Sequence, residues 1–423
     1  MKRIRFASRP AALVVALLAP LVAHATNGYF SAGYGAKSQG IAGIGIALPQ
    51  DGLAAAANPA GTAAVGDRAD LGLTVFAPRR GAEIVGNAFG ADASYSGDDK
   101  KTFFIPDFGY THKIDANTAI GLAVYGNGGM NTDYGINPYG RFGATGSAGV
   151  NLEQLFITPS VAYKLNPSHT VGIAANLAYQ RFSAKGIGIF DGFSAAPGHV
   201  SNQGTDSSTG AGVRLGWIGQ LTPQLALGAT WSSRINGRFD EYRGLFANRG
   251  EFDIPENYGL GLTFAATPTT AVAAEVQTIR YSKIAAVGNS AASLFAGQPL
   301  GSDDGPGFGW RDVTVWKLGV QHQASASLAL RGGVSLTNQA VRSGETFFNI
   351  LAPGVIRKHL TLGATWTQPA GGELSVFYAH GFKERVNGVN SIPPGFPPAG
   401  LGGGNANVSM HQNIFGVSYG WKL

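Results

Sequence analysis

Gly416-Val417-Ser418-Tyr419-Gly420 spells G-x-S-x-G, the pattern in which a sharp strand-to-helix turn presents a serine nucleophile. Here it lies inside an alternating apolar segment at the end of the chain, with no helix to follow, so the elbow cannot form. The eight histidines are scattered and give no H-E-x-x-H spacing. Asp303-Asp304 are two acids alone, the ordinary content of a solvated turn. With no cysteine there is no thiol nucleophile, disulfide or Cys-ligated zinc. Phosphate-loop and dinucleotide fingerprints are missing too, so neither an enzyme nor a cofactor or metal site is expected. The remaining chemistry is that of cations and rings. Arg181 and Arg311 adjoin segments that otherwise avoid charge, where a cation could offset the desolvation of a carboxylate or simply snorkel. Phe89, Phe190, Phe193, Leu294 and Phe295 lie in long connectors, as an apolar capture surface or as loop packing.

These residues must be positioned by an unusual chain. Of 423 residues, 63 are glycine and only 13% are charged, against about 25% charged in an ordinary soluble domain. The glycines have no three-residue period, which excludes collagen. The 24 Phe, 14 Tyr and 6 Trp supply too much apolar area for a disordered chain. Lys2, Arg3, Arg5 and Arg9 precede an apolar run from Ala11 to Val22 and then Ala23-His24-Ala25. That is a signal peptide over 1–25 with an A-x-A cleavage site. Cleavage takes the formal charge from +6 to +2, which leaves no case for nucleic-acid binding.

From Arg68 onward, short segments alternate apolar with small or polar residues. Leu225, Leu227, Ala229 and Trp231 alternate with Ala226, Gly228 and Thr230, and Leu360, Leu362, Ala364 and Trp366 repeat the device. A strand so built has one apolar face and one small, nearly uncharged face. Tyr110, Tyr163, Tyr179, Trp217, Trp231, Tyr258, Trp366 and Trp421 sit at segment ends. Together these predict a transmembrane β-barrel, apolar outside and girdled by aromatics. Short turns at 113–117, 166–168, 222–224, 267–270, 324–327 and 368–372 alternate with seven long connectors, at 79–100, 133–149, 190–210, 236–251, 285–310, 343–355 and 386–407. That alternation predicts 14 antiparallel strands over 68–423, with short periplasmic turns and long outer loops. The last segment alternates Phe415, Val417, Tyr419, Trp421 and Leu423 with small or polar residues. It resembles the signal read by the bacterial barrel-insertion machinery, although that signal ordinarily ends in an aromatic.

Residues 26–67 do not alternate; they are small and Gly/Ala-rich, suited to filling a lumen of that size. Gly126-Asn127-Gly128-Gly129-Met130 follows the regular Ile120–Val124 and marks either a bulge in the third barrel strand or a loop starting at Gly126. With GYGAKSQGIAGIGIALPQD and Asn58-Pro59-Ala60 near the start, Ile254-Pro255-Glu256 opening the eighth strand, and the terminal strand, the chain resembles the FadL/TodX-like outer-membrane transporters of long-chain fatty acids and aromatic hydrocarbons.

The resemblance implies a 14-stranded barrel plugged by an N-terminal hatch, 26–67, carrying the motif Asn58-Pro59-Ala60. It implies capture of a hydrophobic small molecule among the outer loops and its lateral release into membrane lipid through a kink at Gly126–Met130. It also puts Arg311 and Arg181 at substrate-binding positions; Phe193 and Phe295, by their place in long connectors, are candidates for the capture surface or for loop packing. Arg311 shares the phase of Val313, Val315 and Lys317, the lumen side, whereas Arg181 has the lipid-side phase of Leu177 and Tyr179. A monomer in the outer membrane of a Gram-negative cell is expected. The alternative is an open diffusion porin, whose lumen ought to carry rings of charge.

Overall fold

The computed structural model describes residues 27–423. The signal peptide and Thr26 lie outside the described residues. Fifteen strands form one antiparallel sheet: β1 Arg68–Val85, β2 Ala93–Ser96, β3 Phe103–Lys113, β4 Thr118–Tyr134, β5 Ala148–Asn166, β6 His169–Lys185, β7 Asp206–Gln220, β8 Leu225–Ser232, β9 Asn257–Thr267, β10 Thr270–Ile279, β11 Val313–Ser325, β12 Leu328–Thr337, β13 Lys358–Thr367, β14 Glu373–Val386 and β15 Asn405–Lys422. β2 is a four-residue strand within the first long loop and pairs only with the upper end of β1. The other 14 follow one another around a barrel that closes where β1 meets β15, from Arg68↔Lys422 to Val85↔Asn405.

The alternation explains the closure. Along β9 the large residues Tyr258, Leu260, Leu262 and Phe264 are exposed, and on β13 so are Leu360, Leu362 and Trp366. Apolar side chains on the outside are the reverse of a soluble sandwich and fit a wall facing lipid. β1 continues through Pro78-Arg79-Arg80-Gly81, which read as a loop start, because β15 pairs with it along its whole length. The turn-like residues lose to the ladder.

The inward face is lined with glycine for a reason of space. Residues 27–67, mostly buried, pack against inward positions of strands around the barrel. A side chain at Gly216 would strike Asn58, one at Gly172 would strike Pro59 and Ala60, and one at Gly228 would strike Ile46. Gly363 stands against Gly40, and Gly333 against Ile41 and Ala42. Much of the glycine excess is thus room for the N-terminal segment.

Candidate functional site

The N-terminal segment is pinned to the wall by polar anchors. Asn58 is fully buried; its Nδ2 donates to the carbonyls of Ile46 (2.8 Å), Trp217 (3.0 Å) and Ala229 (3.3 Å), and its Oδ1 accepts from Ala60 N–H. Pro59 then starts a short 3-10 turn, Pro59–Ala63, where a missing N–H does no harm. Glu275 on β10 accepts from the Gly45 and Ile46 amides and pairs with Lys317 of β11 at 2.7 Å, while Lys317 also donates to the Gly43 carbonyl. Lys37 pairs with Glu373 of β14 at 2.5 Å, and Arg68 bridges Asp70 and Glu373. Each of these buried charges has a partner, as burial demands.

The ladder is interrupted between β3 and β4. β3 pairs with β4 only from Phe108↔Val124 to Lys113↔Ala119. Above this, Phe103–Asp107 stay paired with β1 alone, and β4 continues from Tyr125 to Tyr134 paired with β5 alone. The β4–β5 register shifts between Gly126 and Gly128, a bulge at Asn127. Burial before it falls on Ala119, Gly121, Ala123 and Tyr125; it is continuous from Asn127 to Met130, and beyond the bulge it alternates on Met130, Thr132 and Tyr134. The extra residue therefore reverses the phase of the strand. The strand does not end at Gly126, which removes the loop reading.

The tip of the N-terminal segment lies against the unpaired edge of β4. Gly129 N–H donates to the Tyr29 carbonyl (2.8 Å), Ser31 N–H donates to the Asn127 carbonyl (2.9 Å), and Phe30 bridges Gly128. Tyr281 holds this tip. Its hydroxyl accepts from the Tyr29 and Phe30 amides and donates to the Asn27 carbonyl at 2.6 Å. Burial raises the Tyr281 hydroxyl well above its ordinary pKa, with Tyr29 adding to the effect, so it stays a neutral donor. Above the break, the buried Arg80 reaches from β1 to β4 and donates to Asn131 O (2.7 Å) and Oδ1 (2.9 Å).

A train of rings runs inward from the break. Phe30 meets Tyr29 (centroids 5.5 Å apart), Tyr29 meets Phe252 (6.0 Å), Phe252 meets Phe246 (4.8 Å), and Phe246 meets Phe182 (4.7 Å). Phe246 and Phe182 line a cavity beneath the long loops with Phe190, Leu300, Phe308 and Phe348. The cavity is narrow, about 40 Å3, and walled by apolar side chains. Such a lining takes an apolar molecule and gives water nothing to bond. A ring or an acyl chain needs its aromatic walls to part.

The predicted site residues fare differently. Asn58, Pro59 and Ala60 anchor the N-terminal segment, and Gly126–Met130 form the bulged edge of the break. Phe193 and Phe295 meet at 5.8 Å, joining two long loops beside the apolar core. Phe190 and Leu294 are buried in that core, whereas Phe89 is exposed and packs on Phe142 and Phe396. Arg311 corrects the expectation of a lumen-facing cation. It is exposed and precedes β11, whose ladder begins only at Val313, so its phase could not be extrapolated. Arg181 keeps the outward phase of Tyr179 and faces Glu153 at 3.5 Å. Arg80, Tyr281, Glu275 and the Tyr29-Phe30 tip were missed. The signal for Glu275 was available, a charge on the inward phase of a strand otherwise free of it. Among the described residues, no cluster of three or more His, Asp or Glu stands where it could hold a metal ion.

A family model described as outer membrane protein transport protein (OMPP1/FadL/TodX) matches residues 22–393. No curated protein matches. Among solved structures, the fold is similar to a Pseudomonas aeruginosa FadL homologue, with TM-score 0.70 and 16% identity over 93% of this chain and 99% of that one. It is similar also to the P. putida toluene transporter TodX (TM-score 0.65, 18% identity, 93% and 99%) and the Ralstonia pickettii toluene transporter TbuX (0.63, 17%, 93% and 99%).

Proposed function

We propose that this chain, which belongs to the outer membrane protein transport protein (OMPP1/FadL/TodX) family, carries hydrophobic small molecules into the outer membrane and releases them sideways. The family is one of transport proteins, and membership places the barrel in the outer membrane. The observation that carries the lateral route is the unpaired stretch between β3 and β4, joined by a train of rings to an apolar cavity under the loops. Residues 27–67 act as a plug, anchored by Asn58, Glu275 and Glu373. A plugged lumen speaks against an open diffusion porin. The cargo is a long-chain fatty acid or an aromatic hydrocarbon, as the lining is apolar and the solved transporters of similar fold include two described for toluene. Moving each CH2 of such a molecule through water forgoes about 0.8 kcal/mol, so a route that opens into the acyl layer is favoured over a watery pore.

Gly129 gives the test. It follows Gly128, whose Cβ position points at Tyr29, so by alternation it takes the other phase, that of Asn131 and Asp133, and lies buried at the edge of the break. Gly129→Val should leave the barrel inserted and heat-resistant, while cellular uptake of toluene and of a long-chain fatty acid both fall sharply. Undiminished uptake in an inserted variant would refute the lateral route.

A further inference from the structure

On the outer side of the barrel, next to the break, the wall changes character over a short height. Going up β6, the outward residues run Ile173, Leu177 and Tyr179, all exposed and apolar or aromatic, then Arg181, Ser183 and Lys185. On β5 the outward Ile157 and Leu155 give way to Glu153 and Asn151. A change from apolar to charged, with a tyrosine at the boundary, marks the edge of the hydrocarbon layer. At this height lies a cleft of about 600 Å3 whose lining includes Lys100, Asn131, Asp133, Glu153, Arg181 and Lys185. It is one strand away from the break, since Gly129 on the open edge is in register with Glu153, and Glu153 with Arg181. Gly129 has no side chain to bar the way.

The cations of the cleft are unequally engaged. Lys185 pairs with Asp133 at 2.8 Å. Arg181 only approaches Glu153, at 3.5 Å, and Glu153 Oε2 is buried with no hydrogen-bond partner. Among the described residues the Arg181 guanidinium makes no hydrogen bond, and Lys100 Nζ rests over the Phe103 ring at 5.5 Å, beside the break. Three cations against two carboxylates leave one positive charge, with the fork of Arg181 free to take a planar anion in two parallel hydrogen bonds.

We propose that this cleft receives the carboxylate of a long-chain acid as it leaves the barrel, held by Arg181 and Lys100 at headgroup height while the chain settles over Tyr179, Leu177 and Ile157. A monoanion matches the single uncompensated charge; the phosphate of a resident glycolipid brings more negative charge than Asp133 and Glu153 would tolerate. The inference rests on the lateral route proposed above, and it adds a receiving site used only by those cargoes that carry an acidic head.

The test uses the full chain in cells and compares uptake of palmitate with that of its methyl ester. Arg181→Gln combined with Lys100→Gln should slow palmitate about two- to fivefold, the range for exposed charge pairs, and leave the ester unchanged. Arg181→Lys in place of Arg181→Gln should restore part of the loss, which a general defect of folding would not. Equal slowing of acid and ester, or none, overturns the proposal, as does a wild type that takes up only the ester. Unchanged palmitate uptake with less phosphorylated glycolipid copurifying would make the cleft a lipid site and overturn it too. Gly129→Val is the separate arm: if it spares both probes the route itself fails, whereas if it blocks both and the charge variant does nothing, only the receiving site is wrong.

Discussion

Gly128→Ala adds a single methyl group, and the fold says where it must go. The new Cβ overlaps the Tyr29 carbonyl oxygen and lies 2.9 Å from the Tyr29 carbonyl carbon and 3.0 Å from the Phe30 Cα. All three are backbone atoms, so no side-chain rotation relieves the clash, and the tip must retreat by about 1.5 Å to reach ordinary contact. Retreat stretches the Gly129–Tyr29 and Ser31–Asn127 hydrogen bonds, now 2.8 and 2.9 Å, beyond bonding range. Each contributes about 1 kcal/mol, so docking of the tip weakens by about 2 kcal/mol. If the bonds of Tyr281 to Tyr29 and Phe30 go as well, the loss is about 4 kcal/mol. That corresponds to roughly 30- to 1000-fold more time undocked. Hydrogen exchange of the purified barrel in detergent reads it directly. Protection of the Tyr29, Phe30 and Ser31 amides should fall by that factor. The Gly45 and Ile46 amides, held by Glu275, and the Ala60 amide, held by Asn58, should keep theirs. Unchanged protection at the tip would refute the packing argument, and loss at all sites would mean the segment docks as one unit.

Two further outcomes follow from the same segment. Deleting 28–65 should turn a nearly non-conducting barrel into a pore, because no other described part of the chain fills the lumen; planar-bilayer conductance checks it, and an intact protein that already conducts like a porin would defeat the plugged reading. Burial and the Asp70 carboxylate push the Asp51 carboxyl up to about 6, against Lys37 and Arg68. A raised pKa means the docked form keeps a proton that the free segment releases near 4, so docking is strongest at low pH and weakens as pH rises through about 6. Exchange protection of Gly52 and Leu53, corrected for intrinsic rate, should therefore be lower at pH 7.5 than at pH 5, and Asp51→Asn should shrink the difference.

The barrel was legible because one physical demand, that lipid-facing backbone be fully paired, writes a two-residue period and alternating loop lengths into every strand. What escaped were the places where that period fails. The sequence shows three glycines at 126, 128 and 129, but not that the bulge reverses the phase between them, so that Gly128 is filled from inside by Tyr29 while Gly129 takes the phase of Asn131 and Asp133. Arg311 was misplaced for the same reason, since alternation carries no information past the end of the ladder. Arg181 was read on its correct, outward face, yet its surroundings are assembled from Lys100, β4 and β5, residues far apart in sequence. The anchors depend on register between the N-terminal segment and strands more than 200 residues away, as for Glu275 and Gly45. Periodicity is local, and those contacts are not.

A gap in a wall exposed to lipid carries a particular penalty, because each backbone group left unpaired there costs several kcal/mol. The break between β3 and β4 is built to avoid much of it. On the β3 side the stretch Phe103–Asp107 contains Pro106, which has no N–H to leave orphaned and is at home on a sheet edge. On the β4 side the Gly129 amide and the Asn127 carbonyl are taken up by Tyr29 and Ser31 of the N-terminal tip. Above, Gly97 and Asp99 join β4 at Asp133, and the Arg80 guanidinium covers the Asn131 carbonyl. The tip is thus part of the wall at this height as well as part of the lumen's filling. Glycine at 128 is what lets a strand-like segment approach from inside, and the bulge is what turns Asn127 inward, where Tyr34 donates to its side chain at 2.9 Å. The residues that open the wall and the residues that cover the opening are a single design, read from one edge strand.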